Sequence, residues 1–113
     1  GIAPTDVVFD EYNVVQPDVF LVCTRSKITE DNIQGSPDLI VEVISKGTEV
    51  KDRREKKNLY EKFGVKEYIL VFPEREYAER YCLKKGKFRF PCPEFSCHVS
   101  DALECPFRSG RYD

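Results

Sequence analysis

The chain has no methionine, no tryptophan and only one histidine among its 113 residues. With no Met even at position 1, a processed product, a trimmed chain or a fragment is expected. The one histidine, His98, lies in a stretch without periodicity, which counts against a Ser-His or Cys-His triad. There is no G-x-S-x-G element and no phosphate-cradling glycine loop. No apolar run approaches the roughly 20 residues that span a bilayer, and no secretory signal opens the chain. Neither sign of charge dominates: the net charge is −2 and the pI is near 5.5. That excludes a global pull toward nucleic acid or an anionic membrane, so contact with a polyanion needs a local patch or a bound cation. Five cysteines, Cys23, Cys82, Cys92, Cys97 and Cys105, are an odd number without an export signal. Reduced thiols in a cytoplasmic protein are the expectation. Cys92, Cys97, His98 and Cys105 suggest zinc, but there is no C-x-x-C and the spacing fits no common module.

What is present is organised around Ser36 to Ser45, SPDLIVEVIS. Turn formers precede a short β-branched run that reads as a strand buried on both faces. Side chains alternate along a strand, so Asp38, Ile40, Glu42 and Ile44 share one face. Glu42 is thus flanked by two isoleucines, and a carboxylate there needs a partner, a metal or a proton.

The rest is one soluble domain with a modest core and a mixed α/β order, β–β–β–α–β–ββ. Val7 to Phe9 starts it. Asn13 to Cys23 reads as a second strand, at an edge, bulged or interrupted at Pro17. Asp18 follows that proline with the parity of Val14, Phe20 and Val22, a second isolated carboxylate. Thr24 to Ser36 is a polar connection tacked down by Ile28 and Ile33. Thr48 suits a helix N-cap and Gly64 the C′ position. Between them lies a thin apolar stripe of Val50, Leu59, Tyr60 and Phe63, with an Asp52–Lys56 pair four residues apart. Tyr68 to Phe72 is a buried strand. Tyr77 to Leu83 and Lys87 to Phe90 form a hairpin around Lys85-Gly86. Residues 91–113 read as an irregular Cys-containing tail appended to a domain at 1–90.

Two acidic side chains on neighbouring strands suit a hard divalent cation, Mg²⁺ or Mn²⁺, which would offset charge stranded among aliphatics. Bound there, it would polarise a phosphoryl oxygen and acidify a water, as phosphodiester hydrolysis requires. For Asp18 the competing reading is a turn residue after proline.

Four blocks in order, VVQPDVFLV at 14–22, GSPDLIVEVIS at 35–45, KDRREKKNLYEKFGVKEYILV at 51–71 and the Pro-Glu at 73–74, resemble the Uma-type restriction endonucleases of the PD-(D/E)XK nuclease superfamily. The resemblance covers about residues 5–90. It implies a restriction-endonuclease-like core and Mg²⁺-dependent cleavage of DNA, with Asp18 and Glu42 as metal ligands and catalytic residues. The lysine of the E-x-K position falls on Ile44, and the resemblance moves that role to Lys56 on the following helix. Asp38 matches a family aspartate and is a possible additional site residue; Tyr60 matches a family tyrosine and reads as packing. The helix that usually precedes the first strand has no counterpart here. The basic run Lys51, Arg53, Arg54 and Lys57 is the candidate nucleic-acid contact, against the plainer reading of a solvated helix face. A homodimer is expected, since open sheet edges invite pairing. The alternative is a catalytically inactive nuclease-like module that binds nucleic acid or a protein partner, and a weaker third reading is a pure oligomerisation unit.

Overall fold

The computed structural model describes residues 5–45, 50–92 and 107–109. Nine strands and one main helix occur among them, in the order β1 (Val7–Asp10), β2 (Asn13–Val15), β3 (Val19–Val22), β4 (Ile33–Gln34), β5 (Leu39–Val43), α1 (Val50–Lys62), β6 (Glu67–Phe72), β7 (Tyr77–Lys84), β8 (Lys87–Arg89) and β9 (Phe107–Ser109). The mixed α/β class is as expected. Residues 46–49, including the Thr48 cap, lie outside the described residues, as do the side chains of Val50, Lys51 and Asp52.

The expected strand over 13–23 is two strands in two sheets. Pro17 is buried at the break and donates nothing to a ladder. On one side β2 pairs with β1, which also pairs in parallel with β4, giving a small sheet β2-β1-β4. On the other side β3 joins the main sheet, whose order is β8-β7-β6-β5-β3-β9. Only β5 and β6 run parallel in it, with α1 as the connection between them. Parallel neighbours require such a crossover, whereas the antiparallel pair β7–β8 needs only a tight turn. Lys85 and Gly86 supply it, both with positive φ (51° and 79°), as a two-residue hairpin turn demands.

Two stretches carry more order than expected. The connection at 24–36 holds a 3-10 turn at Arg25–Lys27 and strand β4, whose Ile33 is fully buried. The stretch from 91 onward, expected to be irregular, contributes β9, which pairs with β3 at the edge of the main sheet.

The end of α1 follows from its sequence. Gly64 takes a φ of +80°; its N–H donates to the Glu61 carbonyl at 3.2 Å, and the Val65 N–H reaches back to the Tyr60 carbonyl at 3.0 Å. This double closure satisfies carbonyls that the helix leaves open and sets Val65 against Tyr60, both fully buried. Ser36 Oγ donates to the Phe63 carbonyl, tying the approach to β5 to the helix end.

Tyr60 of α1 meets Tyr68 of β6 edge-on at 5.1 Å. Phe9 of the small sheet stacks on Phe63 at 5.0 Å and lies 5.9 Å from Tyr60. The core therefore forms where α1 meets both sheets, with Phe20, Ile40, Val65, Tyr68 and Leu70 at its centre. The opposite face of the main sheet is barer: Leu39 and Val41 are half-buried and Val43 is 46% exposed. The expectation that β5 is buried on both faces thus holds for one face only, because the one helix between β5 and β6 covers one side.

Candidate active site

Glu42 sits on the α1-facing side of β5 and is 6% exposed. Val19 lies opposite Val41 and Phe20 opposite Ile40; continuing that register puts Asp18 opposite Glu42. The two residues are linked reciprocally through the backbone. The Asp18 N–H donates to Glu42 Oε1 at 3.2 Å, and the Val43 N–H donates to Asp18 Oδ2 at 2.8 Å. Asp18 thus takes an N–H of β5 just beyond the last residue that β3 pairs with. Pro17 ends the strand, and its successor's side chain replaces the ladder.

The third member comes from above. Lys56 projects from α1, and its Nζ lies 3.1 Å from Glu42 Oε2. Three residue types far apart in sequence thus converge: a carboxylate from β5, another from the start of β3, and an ammonium from the helix between β5 and β6. They meet toward the carboxyl end of the parallel pair, where open α/β sheets place their ligand crevices.

The electrostatics are those of a carboxylate short of compensation. Burial pushes the Glu42 carboxyl above its ordinary range. The Lys56 charge and hydrogen bond pull it back, and Asp18 opposes that by like-charge repulsion. The Lys56 side chain is 37% exposed, against 8% for that of Glu42, so much of its charge is spent on water. Oxygen donors from two carboxylates fit a hard cation, and a cation bound to both would remove their mutual repulsion.

Asp38 is not brought to this cluster. It lies at the other end of β5, about 13 Å along the strand from Glu42 at roughly 3.3 Å per residue. There its Oδ2 accepts the Cys23 N–H at 2.7 Å, and its Oδ1 lies 3.3 Å from Lys66 Nζ. It staples β3 to β5. Tyr60 packs in the core as expected.

The basic residues of α1 divide. Arg53, Lys56, Lys57 and Tyr60 fall at helical spacing on one stripe, and that stripe faces the sheet. The Arg53 guanidinium lies 5.6 Å from the centre of the Phe72 ring, with its Nε buried and making no hydrogen bond among the described residues. The Lys57 ammonium lies 4.5 Å from the Tyr81 ring centre. Arg54 is exposed, and the Lys51 side chain lies outside the described residues. The thin apolar stripe read from sequence thus omits half of the buried face, because long cationic side chains bury their stems and rest on aromatic rings. Arg75 was not singled out from sequence; it stacks on Phe72 at 5.5 Å, close to the site end of β6. The Pro-Glu-Arg run closing β6 was its only signal.

The cysteines depart from the expectation of free thiols. Cys82 and Cys92 are joined in a disulfide with 5.2 Å between their Cα atoms, and Cys23 is also disulfide-bonded. The β7–β8 hairpin carries residue 92 back beside residue 82, which cysteine counting cannot detect. Cys97, His98 and Cys105 lie outside the described residues.

Residues 2–92 match a family model described as "Uma2: Putative restriction endonuclease". No curated protein matches the chain. The match covers both strand carboxylates, the helix and the whole β5–β8 region, and the mixed sheet with one main helix is consistent with a restriction-endonuclease-like core. Among the described residues no helix is long and apolar enough to cross a membrane.

Proposed function

The chain belongs to the Uma2 family, and from that premise we propose that it is a metal-dependent endonuclease hydrolysing DNA phosphodiester bonds. The observation that carries this reading is the buried Glu42, with Asp18 opposite it and Lys56 at 3.1 Å. Asp18 and Glu42 would hold Mg²⁺ or Mn²⁺. The cation, when bound, supplies Lewis acidity toward a phosphoryl oxygen and a water of lowered pKa.

The chain's own residues supply position and charge. Lys56 is half in water and half against Glu42, so its ammonium can hold the attacking water or meet the charge that develops on phosphate. Holding the nucleophile in place is a large part of such catalysis. Arg53 and Arg75 stack on Phe72 beside the site, and with exposed Arg54 they would take phosphate oxygens along the strand. Lys57, drawn onto Tyr81, would contribute charge at longer range.

The test is cleavage of supercoiled plasmid DNA in rising Mg²⁺ or Mn²⁺ by the wild type and Glu42→Ala. Nicking that needs the cation and vanishes in the variant is the expected result. Equal cleavage by both proteins would remove Glu42 from the mechanism. No cleavage by either, with no calorimetric Mg²⁺ binding, would instead favour an inactive module that binds nucleic acid or a protein partner. The ion pair with Lys56 favours that second reading, because it already gives Glu42 a partner without metal.

A further inference from the structure

On the sheet face away from α1, a second group of ligating side chains gathers. Glu67 of β6 lies directly across the ladder from Cys82 of β7, and Cys82 Sγ is 4.0 Å from Glu67 Oε1. Cys92, returned by the β7–β8 hairpin, completes the set. The ligand atoms of Glu67, Cys82 and Cys92 all lie within 4.8 Å of one another. Glu67 and Cys82 are 4% and 5% exposed, and Cys92 is half-buried.

We propose that Glu67, Cys82 and Cys92 form a redox-gated site for a thiophilic divalent cation of the Zn²⁺ class, closed while the two sulfurs are bonded and open once they are reduced. The chemistry balances with a thiol reductant such as glutathione. Two reductant thiols give up two electrons and two protons, leave as their own disulfide, and convert the Sγ–Sγ bond into two thiols. The cation then binds both sulfurs as thiolates and displaces their two protons. Two sulfurs and a carboxylate oxygen are three protein ligands, the number found where zinc keeps a fourth position for water.

Arg80 balances the charge of this site. Its Nε donates to Glu67 Oε1 at 2.9 Å, and its Nη2 contacts the same oxygen. Two thiolates and one carboxylate around a divalent ion leave one net negative charge in a half-buried place, and the guanidinium offsets it. It also fixes the carboxylate rotamer, as groups behind a metal ligand commonly do. This site shares no residue with the Asp18–Glu42–Lys56 cluster and lies on the opposite face of the sheet, so the two fail or stand independently.

The experiment uses the full chain, reduced with a phosphine under argon and titrated with Co²⁺ as a spectroscopic stand-in, then with Zn²⁺ against a chromophoric chelator. The expected result is one thiolate-bound equivalent, read as a sulfur-to-cobalt charge-transfer band that is absent from the oxidised protein. Cys92→Ser should lose the band, and Glu67→Gln should weaken Zn²⁺ binding about tenfold or more. Glu42→Gln, and a Cys23→Ser/Cys97→Ser/Cys105→Ser variant, should both keep it. No thiolate band in reduced wild type whose circular dichroism shows it folded would overturn the site. So would a full-strength band in Cys92→Ser, which would assign the metal to other cysteines.

Discussion

Glu42 and Glu67 are the two buried charged residues among those described, on neighbouring parallel strands and on opposite faces of one sheet. Their surroundings differ in kind. Glu67 sits mid-sheet against an arginine from the adjacent strand, and the guanidinium places two donors on one of its oxygens. Such a fork is preorganised and neutralises a carboxylate well. Glu42 has a lysine reaching down from a helix, a second carboxylate across the ladder, and a position toward the carboxyl end of its strand. Glu67 is compensated by its fold, whereas Glu42 is compensated only in part. Burial alone therefore does not set Glu42 apart; burial with incomplete compensation does.

Four experiments would break or sharpen that contrast. The largest effect is expected from Glu42→Gln, which keeps shape and removes charge: metal-dependent plasmid cleavage should fall by at least about a hundredfold. Glu67→Gln, in the same assay, should retain activity close to wild type. If the two variants lose activity equally, the contrast fails. Next, Arg80→Ala leaves Glu67 buried without its fork and should cost about 2 kcal/mol in urea unfolding, while Lys56→Ala should cost less than about 1 kcal/mol. Lys56→Ala should instead lower the cleavage rate at saturating Mg²⁺ and leave calorimetric Mg²⁺ affinity intact.

The smallest effect concerns pH. The Glu42 carboxyl is raised in the folded protein, mainly by burial. A raised pKa means that the folded state favours the proton, so the contribution to stability is full below the ordinary glutamate range. It is lost as pH climbs through the raised value. At neutral pH the wild type therefore carries the cost of a buried charge that Glu42→Gln does not. The variant's melting temperature should exceed that of wild type at pH 7.5, and the gap should close near pH 4. A constant gap across that range would mean that burial is not what perturbs Glu42.

The parity of β5 was enough to set Glu42 between Ile40 and Ile44, and Pro17 was enough to mark an irregularity before Asp18, though not that the strand divides between two sheets. Gly64 and the Lys85-Gly86 pair likewise announced a helix end and a hairpin, because only certain residues accept positive φ at low cost. Less legible was which face of α1 turns inward. Arg53, Lys56 and Lys57 count as polar in any periodicity, yet each lies against a sheet residue: Phe72, Glu42 and Tyr81. Asp38 shares the parity of Glu42, but parity carries no information about position along a strand, and Asp38 is occupied at the far end.

Local chemistry in the chain thus determined most of the elements, several of their limits and the presence of a misplaced carboxylate, since alternation, capping and proline act over a few residues. Which groups meet that carboxylate was decided by the sheet order and by the crossover through α1. Residues 18, 42 and 56 approach one another only when β3 and β6 flank β5 and the helix lies across them. The same holds for Glu67, Cys82 and Cys92, which become neighbours through a strand pairing and a hairpin. Contacts of that range depend on topology, and no spacing within a single segment encodes them.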